Sequence, residues 1–267
     1  MLPSLLNSID ILRIVINFFY YLYYMKRKQT KKIKKKSSKL MIHQIYGLFG
    51  DNKPMNELFK ESNKKWKAVA KKNGYRYKLW DMKACDNLIN QFPQFKKMYN
   101  SVRYPIMKAD IMRFLILYKR GGLYSDLDVL PLKNRYSFDK LSFCVYYYTP
   151  LDEQNVKNYK PDMEMIYSPK GNEWLLNYIH HIEKQIKAKS KVKIYNTWKV
   201  RYIFQTTGPK SLKRYMDDNP VEYDHIRVMG MDKQYSFKDK LSKIVSPQIS
   251  KKNDAISFYS CSYGCGN

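Results

Sequence analysis

The chain is short of acid. Its 267 residues include 23 Asp or Glu against 50 Lys or Arg, a formal net charge of +27. It is also short of cysteine, with only Cys85, Cys144, Cys261 and Cys265. That is too sparse for a disulfide scaffold in a chain of this length. Cys261 and Cys265 form a C-x3-C pair with no second pair and no nearby His, which argues against zinc and leaves two ordinary thiols or one local disulfide. Histidine supplies no ligand cluster either. His43 reads as a packed core residue, His180 and His181 fall on an expected helix, and His225 falls in an expected loop. No small-residue cleavage site marks a removed signal peptide, and no internal repeat is evident. Hydrophobic residues nevertheless make up 44%, which excludes collagen-like, low-complexity and wholly disordered chains.

The basic excess invites a nucleic-acid reading, because Lys and Arg neutralise phosphates. Lys dominates it, whereas base-edge readout favours the bidentate fork of Arg. Abundant Lys, Tyr, Asn and Ile match the codon bias of an AT-rich genome, so no specific nucleic-acid partner is expected. Residues Leu5 to Met25 are mostly apolar, but Asp10 and Arg13 interrupt them. The uncharged stretch Ile14 to Met25 is short of the ~20 residues that span a bilayer. Tyr20, Tyr21, Tyr23 and Tyr24 sit at its end, as in an interfacial aromatic belt. A basic run without acids follows, from Lys26 to Lys39, suited to an anionic lipid surface or to a solvated linker. This divides the chain into a candidate membrane anchor (1–25), a polybasic linker (26–39) and one large domain (40–267). Positive charge after the apolar stretch keeps that domain on the cytosolic side. The alternative is a soluble cytoplasmic protein.

Past Leu40, short apolar runs alternate with helical periodicity. Strands are expected at Lys39 to Tyr46, Tyr75 to Trp80, Leu123 to Val129, Phe143 to Tyr148 and Met163 to Tyr167. Helices are expected at Met55 to Asn73, Met82 to Asn90, Phe95 to Asn100, Ile106 to Lys119 and Trp174 to Lys189, with Gly74 and Gly121-Gly122 as stops. The alternation implies an α/β layer fold with a mainly parallel sheet.

The scarce acids concentrate in one segment, ADIMRFLILYKRGGLYSDLDVLPL from Ala109 to Leu132. Asp110 and Arg113 are three apart on a helix and share a face. Asp126 and Asp128 alternate on the expected strand, so both point to one side. Two neighbouring carboxylates repel unless a cation or proton intervenes. Mg2+ or Mn2+ suits them, since such ions combine one or two carboxylates with substrate phosphates. A bare D-x-D is common and is equally met as a solvated strand end; its company of D-x-x-R and Gly-Gly distinguishes this one.

That segment resembles the central signature of glycosyltransferase family 32, the enzymes with a D-x-D sugar-binding motif. MIHQIYG, YRYKLWD, IYSPKGNEWLLNYI and TTGP at Thr206 to Pro209 resemble further family segments. The resemblance implies a GT-A-like nucleotide-binding sandwich and retaining transfer of a hexose from a UDP or GDP donor to a glycan, glycolipid or protein acceptor. It implies Mn2+ (or Mg2+) as cofactor, held by Asp128 and partly by Asp126. It gives Asp110 the donor sugar's hydroxyls and Arg113 the sugar or diphosphate. It also places Tyr124 near the diphosphate and Tyr46 against the base. Tyr46 reads equally as a core aromatic at a strand end. The sequence departs from the pattern twice. Met163 and Glu164 stand where an Asn-Asp-like pair is usual, and Ser257 stands where a metal-binding His is expected. Glu164 and Ser257 are therefore further candidates, and an inactive nucleotide-sugar- or glycan-binding relative is the first alternative. A basic membrane- or nucleic-acid-binding protein with an incidental D-x-D is the second.

Overall fold

The computed structural model describes residues 40–48, 54–138, 144–148, 161–192, 198–220, 224–230 and 253–258. The expected anchor and polybasic linker lie outside the described residues, as do Cys261 and Cys265. No described helix is long and apolar enough to cross a membrane.

Strand β1 (Met41–Ile45) leads to helix α1 (Glu57–Asn73) and strand β2 (Arg76–Trp80). Helices α2 (Met82–Ile89), α3 (Pro93–Ser101) and α4 (Pro105–Arg120) follow, then β3 (Gly122–Ser125) and β4 (Val129–Pro131). After β5 (Cys144–Tyr148) and β6 (Pro161–Ser168) come α5 (Glu173–Lys189), α6 (Lys199–Thr206) and α7 (Pro209–Asp218), and finally β7 (Asp224–Gly230) and β8 (Ala255–Ser257). The eight strands form one sheet in the order β2-β1-β3-β6-β5-β7-β8-β4. The pairings β1–β2, β1–β3, β5–β7 and β7–β8 are parallel, while β3–β6, β5–β6 and β4–β8 are antiparallel. The expected α/β fold with a mainly parallel sheet is thus the one observed.

The two-residue period of the strands sorts side chains between two cores. Ile42, Leu123 and Met165 pack with Trp66, Val69 and Ala70 of α1. Tyr124 and Ile166 face the other side, against Phe114 and Leu115 of α4 and Leu175 and Tyr178 of α5. Local chemistry sets the ends of α1: the Asn56 side chain accepts from the Phe59 N–H at 2.8 Å, and Gly74 closes the helix at φ 64°.

Three expectations need correction. The spacing in α4 suggests an apolar face, yet every residue from Ala109 to Leu117 is buried. The helix sits between the sheet and its neighbours, so it is enclosed all round. The single strand expected from Leu123 to Val129 is two strands separated by a turn. His225 belongs to β7 and not to a loop.

The Gly121-Gly122 corner ends α4 and starts β3. Both residues have positive φ, 63° and 110°. A Cβ on Gly122 would lie 2.2 Å from the Met41 carbonyl oxygen, and one on Gly121 would lie 2.5 Å from the Lys170 nitrogen. Only glycine fits both the backbone conformation and the close approach. The Gly121 carbonyl also accepts from His43 Nε2 at 2.9 Å. His43 Nδ1 accepts from Trp80 Nε1 at 3.1 Å, which fixes the neutral tautomer. Burial lowers the His43 pKa to about 4, keeping the ring uncharged. His43 is therefore a structural tie, as its sequence context suggests.

Candidate active site

Arg113 is the hub of the site. It is 4% exposed and spends its donors on four acceptors. Nη2 donates to Asp110 Oδ1 at 2.9 Å, and Nη1 donates to the Met163 carbonyl at 2.7 Å and to Asp126 Oδ2 at 3.3 Å. Nε reaches the Ala109 carbonyl at 3.5 Å. Its guanidinium lies 4.9 Å from the centre of the Tyr124 ring. Burial alone would weaken the cation, but Asp126, Tyr124 and Asp110 outweigh it and raise its pKa. Asp110 Oδ2 accepts from the Thr207 hydroxyl at 2.7 Å, so both Asp110 oxygens have partners. Desolvation still raises the Asp110 pKa to about 6, against the pull of Arg113 and Thr207.

The D-x-D segment is a turn rather than a strand. Asp126 follows the last residue of β3, and Leu127 and Asp128 complete the reversal before β4. The Val129 N–H closes it on the Asp126 carbonyl at 3.3 Å. The strand-alternation argument for Asp126 and Asp128 therefore does not apply. The turn instead gives the two carboxylates different neighbours. Tyr124 donates its hydroxyl to Asp126 Oδ1 at 2.5 Å and Arg113 holds Oδ2, so both Asp126 oxygens are engaged. Burial, largest among several effects, keeps the Tyr124 phenol protonated. Asp128 is held through its backbone, with its carbonyl accepting from the Phe258 N–H at 3.0 Å.

A polar network beneath the turn fixes its position. Asn63 Nδ2 donates to the Tyr77 hydroxyl at 2.6 Å, which donates to Gln44 Oε1 at 2.8 Å. Gln44 Nε2 reaches the Ser62 hydroxyl at 3.1 Å and the Asp126 carbonyl at 3.3 Å. Ser62 and Trp66 both donate to the Val129 carbonyl, at 2.7 and 3.0 Å. Sequence reasoning missed this support and the role of Thr207. The available signals were a polar Gln44 inside an apolar strand and the threonine of the TTGP segment.

Glu164 and Ser257 reach the turn from opposite sides. The Glu164 carbonyl accepts from the Asp126 N–H at 2.8 Å, and Ser257 pairs with Val129 across β8 and β4. The Ser257 hydroxyl hydrogen-bonds the Glu164 carboxyl. Glu164 Oε2 is buried without a hydrogen-bond partner. Desolvation first, then the charges of Asp128, Asp162 and Asp126, raise the Glu164 pKa well above the usual carboxylate range. Asp162 rises to about 6 through desolvation, although its Oδ1 accepts from the Met163 N–H at 2.6 Å. Tyr46, just past β1, packs edge-on against Phe59 with ring centres 6.3 Å apart and remains half-buried.

Among the described residues, no group of three His, Cys, Asp or Glu side chains is gathered closely enough to hold a metal. The donor set still fits a hard divalent ion that shares its shell with a ligand: all the candidates offer oxygen, and one buried carboxylate oxygen lacks a partner.

Residues 28–142 match the family described as a glycosyltransferase sugar-binding region containing a DXD motif. The chain is 29% identical over 173 residues to inositol phosphoceramide mannosyltransferase 2 of Schizosaccharomyces pombe, covering 62% of this chain and 46% of that protein. It is 41% identical over 63 residues to the initiation-specific alpha-1,6-mannosyltransferase of Candida albicans, covering 22% and 16%. The chain thus spans less than half the length of these curated relatives. Among solved structures, the PaToxG glycosyltransferase aligns at a TM-score of 0.48 and 19% identity, over 74% of this chain and 79% of that one. The resemblance to D-x-D glycosyltransferases is borne out by the family match.

Proposed function

We propose that this D-x-D relative is a GT-A-like glycosyltransferase, with 40–267 as its catalytic domain, that moves a hexose from a UDP or GDP donor to a glycan, glycolipid or protein acceptor. The carrying observation is the buried Arg113 fork, which joins Asp110 of the helix to Asp126 of the D-x-D turn. In this reading Arg113 faces the donor's diphosphate, and its position is set before any ligand arrives. A fixed buried cation costs no reorganisation when charge develops on the leaving group. Asp110 and Asp126, oriented by Thr207 and Tyr124, present their remaining lone pairs to sugar or ribose hydroxyls. Tyr46 offers a half-buried ring for the base. Asp128 would help to hold a Mn2+ or Mg2+ ion, whose charge offsets the negative charge that builds on the leaving diphosphate. Retention of anomeric configuration follows from the resemblance.

A second reading rests on Ser257. A hydroxyl stands where the resemblance calls for a histidine, and that favours a relative that binds a nucleotide sugar with little or no turnover. Hydrolysis of UDP- and GDP-hexoses with Mn2+ separates the two. Turnover should fall by about a hundredfold or more in Asp128→Ala. Equal turnover in wild type and variant refutes the role of Asp128, and donor binding without turnover selects the second reading. We also propose that residues 1–39 bring the domain to a membrane surface on its cytosolic side; unchanged membrane association after their deletion would overturn this.

A further inference from the structure

Asp126 and Glu164, both at the D-x-D turn, differ in what they have left to offer. Asp126 gives Oδ1 to Tyr124 and Oδ2 to Arg113. An ion binding there would compete with a buried cation for the same carboxylate. Glu164 is in the opposite condition. Its Oε2 is the one buried carboxylate oxygen without a partner among the described residues. The charges acting on it are those of Asp128, Asp162 and Asp126, with Asp128 the strongest. Such an oxygen is costly to bury unless something positive meets it.

Backbone contacts keep Glu164 beside the turn. Its carbonyl accepts from the Asp126 N–H at 2.8 Å, and the neighbouring register pairs Ser125 with Met165. On the other side, the Phe258 N–H binds the Asp128 carbonyl at 3.0 Å and brings Ser257 alongside. Ser257 hydrogen-bonds the Glu164 carboxyl and so orients it. We infer that Glu164, and not Asp126, joins Asp128 in holding the divalent ion, with Ser257 positioning the Glu164 carboxylate. Two carboxylates are enough for an ion that completes its shell with water and the donor's diphosphate oxygens. Asp126 is then a partner of Arg113 that shapes the donor side. This inference rests on the metal-dependent reading above and names the ligands that reading leaves open.

The test is Mn2+ binding to the full chain, followed by the paramagnetic resonance signal of free Mn2+, alone and with UDP or GDP. Melting in metal-free buffer serves as the folding control. Glu164→Gln keeps the shape and the Ser257 contact but offers no anionic oxygen. It and Asp128→Asn should each weaken Mn2+ binding by about tenfold or more, and Asp126→Asn by less than about threefold. Glu164→Asp, which retains the charge and withdraws it by one methylene, should fall between Glu164→Gln and wild type. Wild-type affinity in Glu164→Gln, or a loss in Asp126→Asn equal to that in Asp128→Asn, overturns the assignment and leaves the metal-dependent reading standing. A wild-type chain that binds no Mn2+ even with UDP and GDP overturns both, and donor hydrolysis then reports separately on the glycosyltransferase reading.

Discussion

On the α4 side of the D-x-D turn, Asp110, Asp126 and Tyr124 surround a single guanidinium that also donates to the Met163 carbonyl, and the Thr207 hydroxyl donates to Asp110. On the β6 side, Glu164 and Asp162 are half-buried acids, Glu164 feels the charge of Asp128, and one buried Glu164 oxygen meets no donor. Both sides border the D-x-D turn, and both are at least half withdrawn from solvent. The first is complete in itself, while the second is complete only with a cation or a proton. A self-sufficient network serves position, whereas an unbalanced one leaves room for a ligand.

This contrast predicts unequal responses to substitution. The largest concerns Arg113. Arg113→Ala removes the cation that neutralises Asp110 and Asp126, and should cost about 3–5 kcal/mol in urea unfolding, with donor binding lost as well. A loss below about 1 kcal/mol would mean that the α4 side is no more self-sufficient than the β6 side. Thr207→Ala comes next. It leaves Asp110 Oδ2 without its donor and should cost about 2 kcal/mol, while Thr207→Ser restores most of it. If the serine variant unfolds as readily as the alanine variant, the lost methyl rather than the hydrogen bond matters. The smallest effect belongs to Glu164→Gln. A carboxyl already pushed toward its protonated form is closely mimicked by an amide, so metal-free stability at neutral pH should change by less than about 1 kcal/mol. A large loss there would show that the β6 side is structural too.

Much of this architecture is legible in the sequence. Period and punctuation give most elements, because Gly74, Gly121 and Pro105 mark helix ends through backbone constraints that act locally. Asp110, Arg113 and Asp126 stand out because acids are scarce and their spacing is short. What pattern cannot supply is the geometry of Asp126 and Asp128. Alternation presumes an unbroken strand, and here the Val129 N–H folds back on Asp126. The burial of α4 on all sides is hidden for a related reason: Lys108, Lys119 and Arg120 lend the segment a polar look, although the stretch between Lys108 and Tyr118 is enclosed. Thr207 and Gln44 are invisible as site residues because their contacts join distant parts of the chain, 97 residues apart for Thr207 and Asp110. The Glu164–Ser257 pairing could be suspected from the departures at those positions, but only the sheet order brings β8 beside β4.

That sheet order also dictates a sequence of events in time. Among the described residues strand β4 has β8 as its sole sheet partner, and the Tyr136 hydroxyl donates to the Asp254 carbonyl across 118 residues of chain. At ribosomal rates those residues take roughly 6 to 24 s to synthesise. During that interval the segment just after the D-x-D turn has no strand to pair with, and Ser257 does not yet exist. The half of the site that contains Ser257 is thus among the last of the described parts to assemble, while the arginine-centred half, whose members end at Thr207, can close earlier.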